Sequence, residues 1–133
     1  MFFGLFVAFF VAGCASGLSG SQGAAVAAPQ TPEQAVVTRA QERWDALRAA
    51  QYEKAYSYIT PTMRITLSLD IFRGRISGAS WLDAKVVKAV CEPEVCDVSV
   101  KLDYYVLPNF RDSQTINEKW ILDGGKWWFV YRG

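Results

Sequence analysis

Cys91-Glu92-Pro93-Glu94-Val95-Cys96-Asp97-Val98-Ser99-Val100-Lys101-Leu102-Asp103-Tyr104-Tyr105-Val106 is the stretch that decides the fold. From Val98 to Val106 apolar residues fall on every second position. Asp97, Ser99, Lys101, Asp103 and Tyr105 take the positions between. That period of two is the mark of a strand with one face buried. Pro93-Glu94 supplies the corner, so Glu92 is expected opposite Val95 and Cys91 opposite Cys96. In that register the cysteines form a non-hydrogen-bonded pair, where side chains approach most closely. Pro93 suits the first corner of a type I or II turn, and a slightly wider loop also brings the sulfurs together. A structural disulfide that locks the hairpin is expected. The partner strand is Trp81 to Val90, more apolar on both faces and therefore expected to be better covered.

Downstream, Leu107 to Asp112 reads as a loop and Thr115 to Leu122 as a third strand. Asp123-Gly124-Gly125-Lys126 is a hairpin turn, and Trp127 to Arg132 is the last strand. That turn places Trp120, Leu122, Trp127, Phe129 and Tyr131 on one face, with Ile121, Trp128 and Val130 on the other. Upstream the period is helical. Thr31-Pro32-Glu33-Gln34 combines an N-cap, a proline at the first helical position and a capping-box residue. Val36, Val37, Ala40, Trp44 and Leu47 then form one face as far as about Ala50, with Arg39, Glu42, Arg43 and Asp45 largely elsewhere. A short helix with Tyr52, Ala55, Tyr56 and Ile59 on one face follows. Thr60-Pro61 starts a turn reaching Met63, and Ser68 caps a helix with Ile71, Phe72 and Ile76 that Gly78 ends. The fold class is α+β: N-terminal helices packed on a curled four-stranded antiparallel sheet.

The 133 residues carry 14 basic and 13 acidic side chains and no histidine. Every charge lies from Glu33 onward. Residues 14–30 are mostly small and polar, the composition of a flexible linker, and 31–133 form one domain. With near-balanced charge and no long basic run, nucleic acid is not an expected partner.

Two resemblances follow. Residues 1–13 form an apolar run ending in small residues, and Val11-Ala12-Gly13-Cys14 resembles the lipobox of a bacterial lipoprotein signal. The resemblance implies cleavage before Cys14, lipidation of Cys14 and anchoring to an envelope membrane. With Ala15 and Ser16 next, it implies the outer membrane facing the periplasm in a Gram-negative cell. No Lys or Arg precedes Phe2, a departure explained if Met1 lies inside a longer signal. The domain resembles the nuclear-transport-factor-2-like (cystatin-like cone) superfamily, closest to its small secreted lipoproteins. The likeness rests on Trp44-Asp45-Ala46-Leu47, Tyr52 to Pro61, the cysteine hairpin, Glu118-Lys119-Trp120 and Asp123 to Trp128. It implies a bent sheet wrapped around helices, often dimeric, that serves enzymes, binders and scaffolds alike.

Enzymes of that superfamily use a carboxylate beside a tyrosine or a second acid. The acids here are Asp83 and Asp103, the tyrosines Tyr52, Tyr56, Tyr58 and Tyr104. An unbroken register from the cysteines puts Asp83 opposite Tyr104, while Asp103 points to solvent. Catalysis, cofactors and metals are not expected: histidine is absent, and neither a nucleophile motif nor a phosphate loop is present. The expectation is a non-enzymatic, lipid-anchored envelope protein whose domain binds a partner protein or itself, with Ile121, Trp128 and Val130 as the interface. The alternative is a small apolar ligand held in the cone by Trp44, Tyr56, Tyr104 and Trp120. An isomerase- or cyclase-like enzyme comes third.

Overall fold

The computed structural model describes residues 28–133; the expected signal, Cys14 and most of the expected linker lie outside the described residues. Helix α1 runs Pro32–Arg48, α2 Tyr52–Ser57, α3 Pro61–Thr66 and α4 Leu69–Ile76. The strands are β1 Trp81–Glu92, β2 Val95–Leu107, β3 Phe110–Asp123 and β4 Lys126–Phe129, paired in that order as an antiparallel meander. The α+β architecture is the one its sequence periods imply.

Local chemistry sets the helix boundaries. The Thr31 hydroxyl accepts from the Gln34 amide and the Gln34 side chain accepts from the Thr31 amide, completing the capping box. At α3 and α4 the Thr60 and Ser68 hydroxyls accept from the Met63 and Ile71 amides, single N-caps without the reciprocal bond. Ala50 ends the α1 turn with a positive φ of 55°. In the β3–β4 turn, Gly124 and Gly125 hold φ of 57° and 77°, the signature of the primed turns that match strand twist.

One face of the sheet is buried under the helices. Val36, Ala40, Trp44 and Leu47 of α1 pack with Val98, Val100, Leu102 and Trp120 of the sheet, and Phe72 anchors α4. Among the described residues the buried core runs from Val36 to Phe129. Among the described residues nothing covers the opposite face, which is polar through its middle, where Asp97 pairs with Lys119 at 2.9 Å and Ser99 donates to Asn117.

Four expectations need correction. Leu107 and Phe110–Asp112 are strand, not loop: β2 and β3 meet in a two-residue turn at Pro108-Asn109 and pair as far as Leu107 with Phe110. Residues 110–115 are exposed on both faces, so no alternation marks them although the ladder to β2 holds them. The last strand stops at Phe129, with one more bond from the Val130 amide to the Lys119 carbonyl. Val87 and Val90 of β1 are more than half exposed, because the helices cover only one face. Finally, Arg43 sits in the core, 5% exposed, and not on the polar side of α1.

Candidate functional site

The cysteine register holds: Cys91 pairs with Cys96 and Glu92 with Val95, and the two sulfurs are bonded. Further along the hairpin it slips twice, past Val87 and past Leu82. A bulge adds one residue to one strand and displaces every later pair. Asp83 therefore faces Asp103, and Tyr104 faces Trp81. The acid-plus-phenol pairing built from an unbroken register does not form. Asp83 instead meets Arg48 at 3.2 Å with its side chain 56% exposed, and Asp103 lies 3.9 Å from Lys101.

The four side chains proposed to line a common pocket are dispersed in the core. Tyr56 leans on Phe72 and donates its hydroxyl to the Leu67 carbonyl at 2.6 Å. Trp44 stacks edge-on against Trp81 with centroids 5.2 Å apart. Trp120 is fully buried against Phe129 and Tyr58. Tyr104 is half-buried beside Trp81 at the far end of the β1–β2 ladder. The three interface candidates do share a corner. Ile121 pairs with Trp128 on the outer face, Val130 follows one pleat on, and all three are half-buried. The Trp128 indole donates to the Asp123 carbonyl, with the guanidinium groups of Arg39 and Arg64 5.8 Å and 5.7 Å from its ring centroid.

The densest polar chemistry lies under α1. Glu118 points from β3 into the core and is 5% exposed. Its Oε1 accepts from Arg43 Nη1 at 2.8 Å and from Trp44 Nε1 at 2.9 Å, while Oε2 accepts from Trp120 Nε1 at 3.1 Å. The Arg43 guanidinium also lies 3.7 Å from the Phe129 ring centroid. Burial lowers the Arg43 pKa and the Glu118 charge and hydrogen bond oppose that shift. A cavity of about 280 Å³ opens beside this cluster at the β3 edge, just past the end of β4. Sequence reasoning missed the site. A charge at an inward-facing strand position, two residues before Trp120, was the available signal; nothing local marked Arg43 as its partner. Among the described residues no three His, Cys, Asp or Glu side chains come together as metal ligands.

No family model and no curated protein matches the sequence. Solved structures do resemble the fold. A SEC-C motif containing protein from Rhodopseudomonas palustris is 15% identical with a TM-score of 0.57, over 67% of this chain and 70% of that one. A SEC-C motif containing protein from Psychrobacter arcticus is 13% identical with a TM-score of 0.56; the match takes in 67% of this chain but only 54% of that one, about half its length. A Campylobacter jejuni protein described as an NTF2-like transpeptidase is 13% identical with a TM-score of 0.56, over 71% of this chain and 96% of that one. At such identity the likeness shows the fold alone, helices followed by a curled four-stranded antiparallel sheet, and not the function.

Proposed function

We propose that this chain is a non-enzymatic, lipid-anchored protein of the bacterial envelope, a small member of the NTF2-like superfamily whose domain binds a partner protein or a second copy of itself through its sheet. The observation that carries the reading is the β2–β3 arm. Its pairing runs on to Leu107 and Phe110, whereas β1 stops opposite Tyr104 and β4 pairs only with Trp120–Asp123. The arm ends in Val106, Leu107 and Phe110, exposed by 51%, 64% and 58%. Large apolar side chains gathered at one tip, beside a β3 edge with no strand alongside from Phe110 to Glu118 among the described residues, favour association. The corner of Ile121, Trp128 and Val130 offers a second contact on the same sheet.

The anchor rests on the lipobox around Cys14; no described helix is long and apolar enough to cross a membrane. Against an enzyme stand the separation of Asp83 from Tyr104 and the use of both domain cysteines in a disulfide, which leaves no thiol nucleophile in the domain for transpeptidase-like chemistry. Sedimentation of residues 28–133 tests the association. A dimer that Leu107→Glu with Phe110→Glu returns to monomer supports self-association through the arm. A dimer broken only by Trp128→Glu moves the interface to the corner. A monomer at every concentration ends the self-association reading, and crosslinking from position 107 in intact cells then decides whether a partner protein is met there.

A further inference from the structure

We propose that the cavity beside Arg43 and Glu118 is a binding site for a small carboxylate with an apolar body. Three observations meet there. The first is an unpaired buried donor: Arg43 is 5% exposed, yet its Nε has no hydrogen-bond partner. Such orphans are uncommon in folded proteins, and a ligand is one of the things that resolves them. The second is a surplus of positive charge. Both acids lining the cavity are already engaged, Asp97 by Lys119 at 2.9 Å and Glu118 by Arg43 and two indoles. Arg132 also lines the cavity and makes no ion pair among the described residues. Arg132 thus offers a free guanidinium to an incoming anion beside the Arg43–Glu118 pair, and guanidinium with carboxylate is the pairing of best geometric match. The third is the remainder of the wall: Trp44, Ile116, Phe129 and Val130 are apolar and suit a hydrocarbon or aromatic body.

Size narrows the ligand. About 280 Å³ holds roughly nine water volumes of ~30 Å³ each, so a molecule of about ten non-hydrogen atoms fills it. Octanoate has that size and both required ends. A cation of the same length meets two guanidinium groups, and the matching alcohol brings no charge to pair with them.

The test is a titration of ¹⁵N-labelled residues 28–133 with octanoate, octanol and octylammonium, after a dispersed amide spectrum has confirmed the fold. Octanoate is expected to move the Arg43 Nε–H resonance together with the amides of Ile116–Lys119 and Val130, saturating with a Kd below about 1 mM. Octanol and octylammonium are expected to leave the Nε–H in place. Arg132→Gln lies at the exposed rim and should weaken octanoate about tenfold without lowering thermal stability. Ile116→Trp fills the cavity and should abolish binding. The proposal fails if octanol shifts the same resonances as octanoate does, if the shifts fall elsewhere, if octanoate moves nothing, or if Ile116→Trp binds like the parent chain. Arg43 itself is left intact, because its loss would strand the Glu118 charge.

Discussion

Arg43 and Glu118, 75 positions apart in sequence, form a 2.8 Å ion pair inside the helix–sheet interface, each only about 5% exposed. This contact ties α1 to β3 at the centre of the core. Two buried charges cost desolvation, and their attraction offsets it only where the remaining hydrogen-bond capacity is used. The carboxylate meets that condition with three donors. The guanidinium meets it in part, through one hydrogen bond and a stacked phenyl ring. Glu118→Ala leaves a buried cation and two indole N–H groups unpaired, and is expected to cost about 3–5 kcal/mol. Arg43→Met combined with Glu118→Leu should cost less than Glu118→Ala, since no charge is left behind, though both indoles still lack an acceptor. Urea unfolding of the three variants checks the order; a double variant worse than Glu118→Ala would mean the pair is net stabilising in this site.

A second link runs through Gln41. Its side chain accepts from the Val86 amide at 2.9 Å and donates to the Ala84 carbonyl at 2.9 Å, bonding the outer edge of β1 as another strand would. Ala84 and Val86 are the residues whose backbone groups turn away from β2 in this register, so the amide meets the groups that would otherwise be unsatisfied. Gln41→Ala should destabilise by about 1–3 kcal/mol and speed hydrogen exchange at Val86 by a matching factor. Gln41→Glu should also destabilise, because a carboxylate cannot donate to Ala84 and repels its carbonyl. Unchanged exchange at Val86 in Gln41→Ala would show that water replaces the side chain at no cost.

What could be read from the chain, and what could not, follows from how far each signal reaches. The caps at Thr31, Thr60 and Ser68 and the alternation from Val98 to Tyr104 are local, and they placed the helices and the central strand. The cysteine pair fixed the register near its own turn. It could not fix the register ten residues away, because nothing at Val87 or Leu82 announces a bulge. Phe110–Gln114 escaped notice because a strand exposed on both faces has no amphipathic period, and its order comes from β2 alone. The Arg43–Glu118 site was hidden for a further reason. A charged residue is ordinarily a surface residue, and its exception depends on a partner that only the fold brings near.

The disulfide gives a prediction of modest size. Cys91 and Cys96 close a loop with a sequence separation of 5. Loop-closure entropy for so short a loop is worth about 2 kcal/mol. Cys91→Ser with Cys96→Ser should lose somewhat more, because Cys96 is fully buried and a hydroxyl replaces its sulfur there. The reduced protein should remain folded, since the β1–β2 ladder and the core beneath it do not depend on the bond. Circular dichroism before and after reduction checks this; loss of the sheet signal on reduction would assign the disulfide a larger role than its loop length allows.

Tyr58 predicts how stability responds to alkali. It is buried, donates its hydroxyl to Glu42 Oε2 at 2.9 Å, and has Arg39 4.8 Å from its ring centroid. Burial raises its pKa above the ordinary 10.0, the Glu42 hydrogen bond and charge raise it further, and Arg39 pulls the other way. Because the native phenol holds its proton more tightly than the unfolded one, its contribution is fully present below about pH 10. As pH rises past that value the unfolded chain binds fewer protons than the native state, so stability falls until the native phenol ionises as well. Urea midpoints measured from neutral pH to beyond pH 10 should therefore decline on the alkaline side. Tyr58→Phe removes the ionisable group and should flatten its part of the decline, while lowering stability at neutral pH by about 1 kcal/mol for the lost hydrogen bond. An identical alkaline slope in both proteins would assign the decline to other groups, leaving the Glu42 contact without a thermodynamic effect there.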